Sequence, residues 1–224
     1  MNDPYVYSNG VLKNKLNIKS YEELNKAEAD IGFAKLINVD SVDIDFFDDK
    51  LLKRIHTHIF EDIFEWAGEY RTVPLVKEEL VLPGCSVSYS EPSKIEKELK
   101  EKIRHLNSYA WQNMEVYKIS LFFAREIALL WKVHPFRDGN TRTMLSFAFL
   151  YAKEHGFPFD IEIFTEELNR KYTDGKVLKC SIRDKFVLAC LDEEDCPEVD
   201  HLAKVFEKAI NKYKENNNSK GTKK

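Results

Sequence analysis

The sequence predicts a mainly α-helical bundle with one small β-hairpin. Three observations lead there. Apolar residues recur at three- and four-residue spacing through most of the chain. Helix-capping signatures stand immediately before two of those runs. A single stretch, EYRTVPLVKEELVLPGCSVSYSEP, breaks the pattern with short Val- and Leu-rich runs interrupted by KEE and PG. With 224 residues and 43% hydrophobic content the chain is large enough to bury one ordinary core.

Each element has its own signature. Ser20 followed by Glu23 reads as a capping box opening a helix that runs to about Leu36. From Asp48, the spacing of Leu51, Leu52, Ile55, Ile59 and Ile63 predicts a second helix ending near Ala67 and Gly68. Residues 73–89 read as two strands joined in a hairpin, and Pro74 marks an edge because it cannot donate to a ladder. Ser93 and Glu96 repeat the capping box before the stripe Ile95, Leu99, Ile103, Leu106. Between Glu115 and Lys132 the apolar residues are too many for one exposed strip, which predicts a central helix. Pro135 disfavours helical geometry at His134 and stops that helix. A further apolar pattern resumes at Asn140 and ends at Gly156 and Pro158. Helices are expected over 160–169, 176–191 and 198–212. Three regions follow: an N-terminal helical extension (1–47) packed on the core, a core with C-terminal helices (48–212), and a polar, disordered tail (213–224).

Composition excludes several function classes. A formal net charge of -4 argues against a broad basic footprint, so no nucleic-acid partner is expected. No stretch has the length of a membrane span and the N-terminus lacks a secretory pattern, so no membrane association and a cytoplasmic location are expected. Cys85, Cys180, Cys190 and Cys196 form no CxxC pair, which argues against structural zinc. Cys85 reads as a loop or core residue. His56 and His58 fall on different sides of a helix and read as surface or packing residues. The acidic run from Asp40 to Asp49 lacks the glycine and terminal Glu of an EF-hand.

One segment concentrates chemistry: HPFRDGNTR, residues 134–142, between two apolar helices. A helix starting near Asn140 points unpaired amides at the loop, and Gly139 lets a ligand approach the backbone, a combination that favours an anion. Arg142 sits in the first helical turn, where its charge opposes the helix dipole, and bidentate phosphate recognition would account for it. Asp138 offers a hard oxygen to Mg²⁺, the Asn140 amide can orient a phosphate oxygen, and His134 is suited to take a proton near neutral pH. Phe136 reads as an inward anchor of the loop. Taken residue by residue the same string also suits a plain turn, with Pro as the stop, Asp-Gly as the bend and Asn as the next cap.

HPFRDGNTR resembles the signature of the Fic family within the Fic/Doc superfamily: HPF, any residue, Asp or Glu, GN, Gly or Lys, then Arg. Only Thr141 departs from it. HIFEDIFEWAGEYRTV (58–73) and VLKNKLNIKSYEELNKAEADI near the N-terminus are similar to Fic proteins as well, so the resemblance covers roughly residues 11–160. It implies a Fic-type helical bundle with the 73–89 hairpin as its flap. It also implies a protein adenylyltransferase that moves AMP from ATP to a Tyr, Ser or Thr hydroxyl of a target protein, releasing pyrophosphate. By the family's roles His134 is the base and Asp138 holds Mg²⁺. Gly139, Asn140 and Thr141 form the anion loop, Arg142 grips the phosphates, and the flap docks the target segment by strand addition. Leu145 stands where many members have a second Arg, and the family's inhibitory string of Ser or Thr, three residues, Glu, then Gly or Asn is missing. The resemblance therefore implies that restraint comes from a separate small inhibitory protein or another mechanism. A Doc-like kinase, transfer of another nucleotide-derived group, and a degenerate Fic-fold binding module are the alternatives.

Overall fold

A computed structural model describes residues 3–79, 81–82, 86–164 and 181–221. Its helices are α1 (Tyr21–Ile37), α2 (Asp49–Phe60), α3 (Ile95–Leu106), α4 (Val116–Val133), α5 (Asn140–Glu154), α6 (Ile182–Ala189) and α7 (Asp200–Gly221). The Ser20 side chain accepts the Glu23 N–H at the start of α1, and Asp48 does the same for Leu51 at the start of α2, each satisfying an amide the helix cannot use.

α4 is the axis of the bundle, touching α3, α5, α6 and α7. Its Ile119, Phe123, Ile127, Leu130 and Trp131 are buried, and Phe123 packs edge-on against Phe157 and Phe206. Two polar side chains of this core are satisfied in sequence: Trp111 Nε1 donates to Tyr151 Oη (3.1 Å), whose hydroxyl donates to the Leu106 carbonyl (2.9 Å). α2 and α5 pack together and α1 lies against α2, so the segment joining α4 to α5 emerges amid three helices.

Four expectations are corrected. α2 stops at Phe60 rather than near Gly68: residues 60–69 continue as turns that still bury Ile63 and Phe64, and the Ile63 carbonyl accepts Lys15 N–H instead of a helical donor. α3 is entered through a single 3₁₀ turn, Pro92–Lys94, without a side-chain cap; Glu96 pairs with Lys100 instead of closing a capping box. The expected hairpin forms no ladder among the described residues of 73–89. Arg71 supplies the reason: its guanidinium donates to the carbonyls of Val73 (2.8 Å) and Ser90, bridging the two arms through a side chain. Finally, the polar residues from 213 continue α7 to Gly221, with Asn217 Nδ2 bonding back to the Tyr213 carbonyl. Parts of the helices expected over 160–169 and 176–191, together with Cys85 and Cys180, lie outside the described residues. Cys190 is buried and Cys196 exposed, both free.

Candidate active site

His134 follows α4 in the left-handed region (φ 50°, ψ 59°), an uncommon conformation for a residue with a Cβ. Three contacts hold it there. Its N–H returns to the Trp131 carbonyl (3.0 Å), Arg71 Nε donates to its carbonyl (2.8 Å), and Arg71 N–H donates to the Pro135 carbonyl (2.8 Å). The ring is fully buried, stacked against Tyr89 (4.1 Å between centroids) and edge-on to Trp131. Nδ1 lies 3.4 Å from the Trp131 carbonyl, which can only accept, so Nδ1 carries the hydrogen and Nε2 keeps its lone pair. Nε2 has no hydrogen-bond partner among the described residues. Burial, reinforced by the charges of Lys77, Arg183 and Arg71, holds the ring well below the usual imidazole range, so it is neutral at pH 7.

The loop after His134 is stapled from within and from below. Asn140 Oδ1 accepts Phe136 N–H (2.9 Å) and its Nδ2 donates to the Phe136 carbonyl (2.8 Å), so the side-chain amide fastens the loop. Phe136 is fully buried and stacked on His56 at 3.9 Å. His56 is a packing residue, one of the two readings the sequence offered, and it also bridges two backbones: Gly68 N–H donates to Nδ1 (2.9 Å), which fixes Nε2–H as the donor to the Asp138 carbonyl (3.1 Å). Burial pushes its titration down to about 3. Gly139 has φ 74°, and a Cβ there would collide with the Phe60 ring; protein packing, beyond any ligand, demands glycine at this position.

Gly139 precedes α5 as its cap, and no side chain caps the first amides of the helix, which leaves its N-terminus open to an anion. Thr141 Oγ1 accepts the Trp131 indole N–H (3.0 Å) and retains its own hydrogen for donation. Arg142 lies over the Phe60 ring and is tied to Glu28 of α1, through the Glu28 carbonyl (3.0 Å) and its carboxylate. Burial works to raise the Asp138 carboxyl, but Lys77, Arg142, the Gly139 N–H and Arg137 together hold it below the ordinary value, so it is ionised. One ionised carboxylate fits magnesium, which usually takes one or two protein oxygens and completes its shell with phosphate and water.

These residues line one cleft of about 220 Å³: Lys77, His134, Asp138, Gly139, Asn140, Thr141, Arg142 and Arg183. That is smaller than the ~300–1,000 Å³ usual for a whole small-molecule site and suits the phosphate end of one. A larger cleft of about 520 Å³, walled by Tyr5, Tyr7 and Trp66, contains none of the motif. The sequence reading missed Lys77, Arg183, Glu28, Tyr89 and His56, all brought in from distant segments.

The model of the Fic/DOC family matches residues 46–152, spanning α2 to α5 with the whole motif. Those residues belong to the Fic/DOC family. The chain containing this Fic/DOC domain is 30% identical over 163 residues to the protein adenylyltransferase VbhT of Bartonella schoenbuchensis, covering 71% of this chain and 32% of that protein. It thus spans about a third of that relative's length. Against the probable protein adenylyltransferase y4lH of Sinorhizobium fredii it is 29% identical over 165 residues, 70% of this chain and 79% of the relative. The crystal structure of the N-terminal FIC domain of Bep8 from Bartonella sp. 1-1C superposes with a TM-score of 0.69 at 25% identity, covering 91% of this chain and 92% of that one. BepC of Bartonella tribocorum, solved with bound AMPPNP, shares the fold at a TM-score of 0.69 and 23% identity, with 92% of this chain and 95% of that one covered. Among the described residues no helix is long and apolar enough to cross a membrane.

Proposed function

We propose that this chain transfers AMP from ATP to a hydroxyl side chain of a target protein. One observation carries the reading: the bare Nε2 of His134 shares a cleft with Asp138 and the uncapped start of α5. In the reaction, the target hydroxyl oxygen forms a bond to the α-phosphorus, the bond from that phosphorus to the bridging oxygen breaks, and pyrophosphate leaves. His134 Nε2 takes the hydroxyl proton, a role worth roughly 10²–10⁴-fold when the geometry is right. The amides of Asn140, Thr141 and Arg142 supply fixed dipoles for the phosphate oxygens, with no reorganisation needed as charge develops. Asp138 would hold Mg²⁺, which would neutralise phosphate charge. Arg142, anchored by Glu28, presents its remaining donors to the cleft. The names of relatives such as VbhT support the same reading.

Target docking falls to the 73–89 segment. Residues 74–78 have no backbone hydrogen bonds among the described residues, and Val76 is 86% exposed, so an extended target segment finds open main chain there. Any separate inhibitory protein that acts on Arg142 must compete with Glu28 for it.

The test is intact-mass measurement of the purified protein, with and without lysate, after incubation with ATP and Mg²⁺, alongside α- and γ-labelled ATP. Label from the α-position on protein, lost in His134→Ala, is the expected result. Label from the γ-position alone would replace AMP transfer with phosphoryl transfer.

A further inference from the structure

The cleft contains two cations that the motif does not supply. Lys77 comes from the segment after Arg71, and Arg183 from the first turn of α6; both line the cleft with His134 and Asp138. α5 itself offers nothing comparable beyond Arg142, because the position one turn later is Leu145, buried in the core.

Charge pairing separates the cations. Arg142 is matched by Glu28 and Arg183 by the buried Glu79. Arg183 also lies 3.2 Å from Tyr89 Oη, which itself donates to Glu79 (2.7 Å), and its guanidinium sits over the Trp131 ring. Glu79 and Tyr89 thus hold the fork in place, and Arg183's remaining N–H groups stay available. Lys77 has no hydrogen bond and no ion pair among the described residues; it stands half-buried, facing the Asp138 carboxylate first and, against it, Arg183 and Arg137. Asp138 offsets part of the cost of withdrawing this ammonium from water but does not bond to it, so the donors of Lys77 remain open to an entering anion. Tyr89, which Arg183 touches, stacks on the His134 ring, so the guanidinium stands at the His134 end of the cleft.

We propose that Lys77 and Arg183 form a second anion subsite, which grips the phosphate chain beside His134 and supplies from the 77–79 segment and α6 the positive charge that α5 lacks. The inference rests on the phosphate-binding reading of this cleft. Lys77 joins and leaves with the segment on which the target is proposed to dock, so anion binding and ordering of that segment become linked. The guanidinium contributes a fixed fork and the ammonium a mobile point charge.

Titration calorimetry with inorganic tripolyphosphate, ATP and adenosine tests this on the full chain. Lys77→Met and Arg183→Lys should each weaken tripolyphosphate and ATP about 10-fold or more, the scale of one charge-assisted contact, and leave adenosine unchanged. Lys77→Met breaks no hydrogen bond or ion pair among the described residues and removes only a charge facing Asp138, so it carries the test even if the Arg183 variant is destabilised through Glu79. Unchanged tripolyphosphate and ATP binding in a folded Lys77→Met together with a folded Arg183→Lys overturns the subsite and leaves the nucleotide reading standing. Wild-type protein that binds tripolyphosphate but not ATP sinks the nucleotide reading and keeps the subsite. Binding of neither overturns both.

Discussion

His134 combines a left-handed backbone, a bare Nε2 and full burial, and each property has a measurable consequence. Because burial and three cations keep the ring neutral, lowering the pH from 8 to 6.5 should not reduce the rate through this group. The sign for stability follows from the same shift. The unfolded ring binds a proton below about 6.5 while the folded ring does not, so stability is lost as pH falls below that value, by about 1.4 kcal/mol per unit. Urea unfolding at pH 7.0 and 5.5 checks this, and a His134→Phe variant should show a shallower dependence. Bound tripolyphosphate neutralises the cations that depress the ring and should raise its titration, readable from the imidazole NMR resonances. At Gly139, alanine must adopt φ 74° and collide with Phe60. Left-handed strain alone costs roughly 1–2 kcal/mol, so Gly139→Ala should lower unfolding stability by at least that much and weaken ATP binding as the loop shifts. The motif itself was legible because its nine residues are contiguous. His56 was not, since helical spacing reports which face a ring occupies and says nothing of the two backbones, twelve and eighty-two residues away, that it joins.

Between elements, the Glu28–Arg142 pair ties α1 to the start of α5. In the sequence Arg142 looks misplaced, a cation at the positive end of a helix, and bidentate phosphate recognition was the compensation the sequence offered. The carboxylate that answers it lies 114 residues earlier on a helix with no marker of the contact. Glu28 is itself strained electrostatically: burial and the nearby Asp138 raise its carboxyl above the usual value, against the pull of Arg142. Glu28→Gln keeps the shape and one acceptor oxygen while removing the charge. The Glu28 side chain is 8% and the Arg142 side chain 20% exposed, so the loss should be below that of a fully buried broken pair, about 1–3 kcal/mol. Chemical denaturation of the single and double variants, the second with Arg142→Met, should give a coupling of the same sign; additive losses would mean that the two side chains merely pack.

At the scale of the whole molecule the helices were readable from period alone, and the departures cluster where one side chain replaces a local rule. The hairpin is the clearest case. The ladder was inferred from Val- and Leu-rich composition, whereas among the described residues Arg71 itself meets carbonyls of both arms, Val73 and Ser90. That guanidinium is 2% exposed and reaches His134, Val73 and Ser90 at once, joining the proposed base and both arms of the docking segment around one planar fork. Arg71→Met would leave three carbonyls without this donor and release the left-handed turn at His134. With each orphaned buried acceptor costing about 1–3 kcal/mol, partly recovered by water, a net loss near 3–5 kcal/mol is expected. Arg71→Lys retains the charge but cannot span three acceptors, so it should recover less than half of that loss. Hydrogen exchange then separates fold from site. In both variants amides of 73–79 and 86–90 and the turn after Val133 should exchange faster together, while α3 and α7 keep their protection. Rescue of that pattern by lysine would show that charge, and not the fork, unites the docking segment with the base.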